Sequence, residues 1–457
     1  MIGAGLLGKL LGGGPTFRHG VHPAEHKDAT AGLAVERMPF VDEYVVPLSQ
    51  HIGAPARATV EVGQRVARGQ PIAEPGGFVS TSHHAPATGT VTAIEARPHP
   101  NGKLMRAVVI RADAYDDQRV TPAPPADPGS LELGEVIARI QGAGIVGLGG
   151  AAFPAHVKLS LPEGKRCKVV VVNGCECEPY LTCDHRLMVE RPAAVLRGAR
   201  IVASKLGAER AVIGVELNKP DAIAALRLAN AGAPEGLTPV EVVGLEVKYP
   251  QGAEKMLIDS VFRQQVPCGR LPLDLEMVVN NVGTLAAVAD LFDLGLPLIE
   301  RVVTVTGPGV ARPRNLIVPL GTPVQAVLDH CGVAPETTRQ VVLGGPMMGQ
   351  AQKRLDVPVL KGTSGILALD QVVLTTREEY PCIRCARCLE ACPMFLNPTR
   401  LALLARAERP EELAEHHVMD CFECASCSYV CPSAIPLVQW IRIGKGVLRQ
   451  HQAASRP

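Results

Sequence analysis

Apolar positions along the chain change period twice. Through residues 35–112 they fall in short β-rich runs. Val60, Val62, Val66 and Ile72 recur between turn residues such as Gly63 and Gly69, which predicts small strands joined by tight turns. TPAPPADPG (121–129) breaks this pattern and reads as a stiff linker at a domain boundary. At LELGEVIARIQ the period becomes helical, with Leu133, Val136, Ile137 and Ile140 on one face. A buried strand KVVVVN follows. Then helix, strand (AVIGVEL), helix (KPDAIAALRLANA) and strand (PVEVVGL) alternate through residues 198–245, which argues for an α/β layer. YPQGAEKMLIDSVFRQQ predicts a further helix, and VPCGRLPLDLEMVVNNVGTLAAVADLF a loop, strand and helix. Residues 301–350 mix short strands, Gly-Pro turns and one helix, as in a small β-grasp domain, and SGILALD closes the body.

The last part of the chain carries the most specific chemistry. CIRCARCLEACP and CFECASCSYVCP share every spacing of Cys-x-x-Cys-x-x-Cys-x-x-x-Cys-Pro. This is the pattern of a ferredoxin with two [4Fe–4S] clusters, in which three cysteines wrap one cluster and the fourth reaches the other. Cys382, Cys385, Cys388 and Cys431 are expected to hold one cluster, and Cys421, Cys424, Cys427 and Cys392 the other. Structural zinc favours separated cysteine pairs rather than runs of four. Such a module moves single electrons.

Upstream, Gly142, Gly144, Gly147, Gly149 and Gly150 crowd one stretch that ends at Lys158. A literal Gly-x-Gly-x-x-Gly is present, but it follows a helix and not a strand, so the dinucleotide fingerprint does not apply. The run suits either close backbone approach to a flat or phosphorylated ligand, or a helix C-cap and connector. Asn173, Glu176 and Glu178 follow a strand end, the usual ligand edge of an open α/β sheet. Thr182 or Asp184 is expected to cap the next helix, with His185 on the surface. Asn280, Asn281 and Thr284 mark another strand-to-helix junction, as ligands or as caps. Cys175, Cys177 and Cys183 lack cluster spacing and read as small packed hydrophobes. His83 and His84 read as polar loop residues.

Composition narrows the function. A formal net charge of +1 over 457 residues leaves no electrostatic footprint for nucleic acid, and 3% aromatic content argues against stacking platforms for single strands. Eight of the 14 cysteines lie in the two motifs, which fits a reducing compartment. MIGAGLLGKLLGGGP lacks a basic stretch before an apolar core, so it reads as a flexible terminus rather than a signal peptide. No run approaches the length of a transmembrane helix.

GLGGAAFPAHVK, NGCECEPYLTCDHRLM, NNVGT, GGPMMG and the paired cysteine motif together closely resemble the RnfC/RsxC family, a component of the Rnf ion-translocating electron-transport complex. The chain resembles the flavin-bearing, NADH-binding subunit of respiratory complex I more distantly. The resemblance implies a multidomain α/β and α+β protein: an N-terminal segment (1–34), a biotinyl/lipoyl-like β barrel-sandwich (35–120), a Rossmann-like FMN/NADH domain (130–297), a β-grasp (SLBB) domain (298–370), a dicluster ferredoxin domain (371–441) and a tail (442–457), short and frayed. The hairpin EPGGFVS carries no modifiable lysine, so the barrel-sandwich reads as a docking or scaffold copy.

The resemblance further implies bound FMN, NADH as reductant and two [4Fe–4S] clusters. It implies membrane subunits of the complex as partners, with ferredoxin reached through them, and a peripheral place on the cytoplasmic face. By motif position, Gly147, Gly149, Gly150 and Lys158 would lie along the flavin and nucleotide. Asn173, Glu176 and Cys177 would border the FMN, Glu178 would stand on the nicotinamide side as the catalytic residue, and Asn280, Asn281 and Thr284 would bind the ribityl or phosphate. Two features depart from the pattern: Cys175, and Ala386 and Ala425 where glycine is usual. A cobalamin reductase of the propanediol-utilisation type shares this domain set, and a flavin-free electron-wire scaffold is the non-enzymatic alternative.

Overall fold

The structure, a computed structural model, describes residues 14–232, 234, 236–334, 336–371 and 378–454. The expected flexible terminus lies almost wholly in residues 1–13, outside that range.

The alternating strands of the second domain form a four-stranded, all-parallel sheet in the order Val240–Leu245, Arg210–Glu216, Val169–Asn173, Met277–Asn281. The strand first in sequence, Val169–Asn173, lies inside the sheet. The next two step to one side of it and the last pairs on the other, so the winding reverses between Val169–Asn173 and Met277–Asn281. Open α/β sheets bind ligands at such a reversal, beyond the carboxyl ends of the strands. Val170 and Val172 face one core with the helices Leu133–Gly142, Pro192–Lys205 and Val282–Leu294. Val169 and Val171 face the other, under helix Glu254–Phe262. A strand covered on both faces needs apolar residues at every position, which explains the unbroken valine run.

Residues 43–112 pair into a four-stranded antiparallel sheet and a three-stranded one that share a core of Tyr44, Val46, Val66, Ile72 and Ile110. His83 and His84 lie in this core, both buried, and not in a polar loop. A two-residue strand pairs them with Pro71 and Ala73, and burial pushes both imidazoles to the neutral form. The third domain is a six-stranded mixed sheet, five strands from residues 300–370 and Glu36–Arg37 as an edge strand.

The two cysteine motifs are followed by matching turns and by helices Pro398–Arg406 and Leu437–Ala454, which pack together through Leu401, Leu404, Ile441 and Leu448. The segment after Trp440 is therefore helical to Ala454 and not a frayed tail. Its apolar positions repeat at helical spacing, a pattern its basic character masked. Residues 15–30 run between the flavin-type domain and the cysteine module. Val21 pairs with Tyr249, and the Gly20 N–H donates to the Ala391 carbonyl at 3.3 Å. Among the described residues, no helix is long and apolar enough to cross a membrane.

Candidate functional site: a sheet edge facing a cysteine module

Asn173 and Asn281 stand opposite each other in register at the ends of their strands. Both amides are engaged. Asn173 donates to the Gly252 carbonyl (2.7 Å) and accepts the Cys175 N–H (3.1 Å). Asn281 caps helix Val282–Leu294 by accepting the Gly283 N–H (2.8 Å) and donates to Asp184 Oδ2 (2.6 Å). Asn280 differs: it is only 6% exposed, and its Nδ2 has no partner. A buried donor left unpaired costs about 1–3 kcal/mol, a cost that a ligand oxygen would offset.

The glycine loop is held by its own domain and by the β-grasp domain. Lys361, fully enclosed, donates to the carbonyls of Gly144 (2.7 Å) and Ser82 (2.9 Å), and burial lowers its ammonium to about 7. The Thr284 hydroxyl donates to the Val146 carbonyl (3.2 Å) and accepts the Leu148 N–H (2.9 Å), so Thr284 shapes the loop. Arg301 donates to the Leu148 carbonyl (3.3 Å). The Gly147 N–H is tied to the Phe153 carbonyl (2.8 Å). Gly149 lies against the Asn281 side chain, 3.5 Å from where a Cβ would sit, and Gly150 has φ +106° with open space on its Cβ side. The loop thus offers bare backbone to whatever fills the sheet edge. Lys158 donates to the Val279 carbonyl (2.9 Å) and pairs with Glu254 (3.0 Å). An ammonium has three donors, so one remains for a ligand.

The segment after Asn173 is braced differently from expectation. Neither Thr182 nor Asp184 caps helix Cys183–Glu190. Glu176, at φ +47°, reaches the helix start and accepts the N–H groups of Asp184 (2.7 Å) and His185 (3.1 Å). Thr182 instead bonds Thr30 (2.7 Å) in a buried network. His185 is buried and bonded to Asp221 at 2.7 Å, so it is not a surface residue. Burial, then the Glu176 charge, pushes the Asp184 carboxyl up to about 7. Lys27 is a brace that sequence reasoning missed. Its buried ammonium donates to the carbonyls of Glu176 (2.9 Å), Glu178 (2.9 Å) and Leu181. No local motif announces it, because its partners lie about 150 residues away.

The carboxylate of Glu178 accepts two N–H bonds at 3.0 Å, from Met347 and Met348 of the GGPMMG turn. Gly345 is required there, since a Cβ would fall 2.2 Å from Glu178 Oε2. Enclosure nevertheless dominates and pushes Glu178 up to about 7. The Cys177 thiol accepts the Gly252 N–H at 3.3 Å and is held protonated by burial. Cys175 and Cys183 are buried free thiols.

The cysteine module meets this segment directly. Cys424 packs in one cluster with Cys177, Tyr249, Met347 and Val21. The two cysteine loops repeat one backbone: Arg384 and Ala386 in the first, Glu423 and Ala425 in the second, all have φ between 54° and 67°. The alanines occupy the left-handed conformation that glycine adopts without penalty, at a cost of roughly 1–2 kcal/mol each. The shape also aims N–H groups at sulfur, Arg384 to Cys382 and Glu423 to Cys421, both at 3.4 Å. Such loops fit a cluster whose sulfurs need donors. Cys392 gathers with the second motif: burial raises the Cys427 thiol, and nearby Cys424, Cys421 and Cys392 raise it further. Cys382 and Cys385 are exposed, while Cys424 and Cys427 are buried.

Family models match in the same order as these units. The RnfC barrel sandwich hybrid domain matches residues 15–115, the Nuo51 FMN-binding domain 140–290, the SLBB domain 302–351 and the 4Fe-4S dicluster domain 381–435. A subunit of the proton-translocating ferredoxin:NAD(+) oxidoreductase complex of Clostridium ljungdahlii is 44% identical over 93% of this chain and 93% of its own. The chain belongs to the RnfC family. Another family member, from the Na(+)-translocating ferredoxin:NAD(+) oxidoreductase complex of Acetobacterium woodii, is 41% identical over 94% of this chain and 96% of its own. A third, from an ion-translocating oxidoreductase complex of Pseudomonas aeruginosa, is 42% identical over 95% of this chain, which spans 56% of that relative. RnfC membership brings an FMN-binding domain and a 4Fe–4S dicluster domain together in this one chain.

Proposed function

We propose that this chain is the electron-input subunit of a membrane-bound, ion-translocating complex, passing electrons between NADH and partner subunits. The observation that carries the reading is the contact of the Cys424 loop with the segment bearing Cys177 and Glu178, which puts a cluster loop against the flavin-type sheet edge. FMN, when bound, supplies the exchange between two-electron and one-electron chemistry, and the clusters carry single electrons. Gly147, Gly149 and Gly150 expose backbone to the flavin and nucleotide. Asn280 gives its unpaired Nδ2 to a ligand oxygen, and Lys158 adds positive charge for phosphate. Asn173, Glu176, Cys177, Asn281 and Thr284 hold the shape of the edge, and Glu178 stands where the domains meet, beside the nicotinamide.

Cys421, Cys424, Cys427 and Cys392 hold the cluster facing the flavin. Cys382, Cys385, Cys388 and Cys431 hold the outward one, and the exposure of Cys382 and Cys385 suits transfer to a partner. The partners in this reading are membrane subunits on the cytoplasmic face, as the relatives named as subunits of ion-translocating complexes suggest. Neither the cobalamin-reductase reading nor the flavin-free scaffold is favoured, because the three relatives are all named as subunits of ion-translocating oxidoreductase complexes and the chain matches an FMN-binding domain.

The test is purification with both clusters in place, followed by anaerobic addition of NADH. Retained FMN that NADH bleaches, with cluster EPR signals appearing afterwards, is the expected result. Absence of flavin, or flavin indifferent to NADH, would overturn the proposal.

A further inference from the structure

The loop that leaves helix Glu254–Phe262 meets the turn just before Cys421 at the protein surface. Cys268 Sγ lies 2.6 Å from Asp420 Oδ2 and 3.9 Å from His417 Nδ1. His417 Nδ1 is 3.9 Å from Asp420 Oδ2. The second carboxylate oxygen accepts the Gly269 N–H at 3.3 Å, which fixes the plane of the group. Cys268 and His417 are exposed, so the three atoms are open to an ion from solution. None of the three residues serves the flavin edge, and none belongs to the eight cluster cysteines.

We propose that Cys268, His417 and Asp420 form a zinc site that staples the flavin-type domain to the cysteine module. A thiolate, an imidazole and a carboxylate are all zinc donors, and three protein ligands leave a fourth tetrahedral position for water. With bonds of about 2.0–2.3 Å, neighbouring donors in a tetrahedral site stand roughly 3.3–3.8 Å apart. The two 3.9 Å edges need only a slight contraction. The 2.6 Å edge opens when zinc replaces the thiol proton that now bridges sulfur and carboxylate. That proton leaves to solvent, and the charges of thiolate and carboxylate balance the ion. Borderline donors of mixed sulfur, nitrogen and oxygen type disfavour magnesium and calcium. The ligands come from positions about 150 residues apart, so a bound ion fixes the approach of the Cys421–Cys427 loop to the flavin-type domain.

The experiment uses the full chain with both clusters in place. It is given one equivalent of zinc, dialysed against a weak chelator, and read by metal analysis and zinc K-edge absorption, which iron does not obscure. Retention of about one zinc per chain is expected, with one sulfur at about 2.3 Å and nitrogen or oxygen at about 2.0–2.2 Å. Cys268→Ser and Asp420→Asn should lose that zinc while keeping their iron. Zinc should also slow alkylation of Cys268 in the unaltered protein at least tenfold, a readout that needs no variant to fold. No retained zinc, no protection of Cys268, or a sulfur shell that persists in Cys268→Ser would overturn the assignment, the last by placing the metal on cluster cysteines.

Discussion

The hydroxyl of Tyr249 donates to the backbone carbonyl of Cys424 at 2.9 Å, a bond between a fully buried phenol and the middle of a cysteine loop. It ties the flavin-type domain directly to a cysteine proposed to hold a cluster. Tyr249→Phe keeps the packing and removes the bond, worth about 1 kcal/mol. Flavin reduction by NADH should be unchanged in stopped-flow measurements, while the following cluster reduction slows roughly fivefold, the equivalent of that energy. An unaltered second phase would show that the bond does not hold the two groups in place.

Asn280→Ala removes an amide nitrogen that has no partner in the protein. The fold without flavin should therefore lose little, judged by circular dichroism and iron content. FMN affinity should fall by about tenfold, equivalent to one lost hydrogen bond to a charged or polar oxygen. Equal FMN dissociation constants for the variant and the parent would remove Asn280 from the site.

Cys392→Ser should perturb the cluster of Cys421, Cys424 and Cys427, whose thiols it neighbours. Single substitutions within each triplet first assign the two EPR signals. If Cys392→Ser alters the signal of Cys382, Cys385 and Cys388 and spares the other, each motif holds its own cluster.

Glu178 gives a pH signature. Its ordinary value of 4.5 rises to about 7, chiefly through enclosure. The folded state then holds a proton that the unfolded chain has released, so stability falls as pH rises from about 4.5 through about 7. The infrared band of the protonated carboxyl, obtained as a difference against Glu178→Gln, should titrate with a midpoint near 7. Thermal melts should show the parent losing ground to Glu178→Gln across that same window. A flat difference would place Glu178 in ordinary solvent.

The division into elements was legible because each period has one cause. Valine runs mark a sheet covered on both faces, and Leu133, Val136 and Ile140 mark a helix with one buried side. The cysteine spacing was legible because cluster geometry dictates it locally. Long-range braces were not. Lys27, Lys361 and Tyr249 look like ordinary residues in sequence, and their roles arise only when distant carbonyls converge on them. Polar character misled at His83, His84 and His185: burial holds the first two imidazoles uncharged, and His185 is buried against its partner Asp221. The cap of helix Cys183–Glu190 was missed for a related reason. Glu176 supplies it from outside the usual capping position.

The strip of chain from Pro15 to Thr30 has a consequence for how the protein is built. It leaves the ribosome early, yet Lys27 braces residues 176–181 and Gly20 bonds Ala391. The Lys27 brace can form once residues 176–181 have emerged, but the Gly20 contact must wait for the C-terminal module. A cluster held as proposed by Cys421, Cys424, Cys427 and Cys392 could be inserted only later still. A nascent chain halted before residue 391 thus carries the Lys27 brace but lacks the Gly20 tie that joins the strip to the cysteine module.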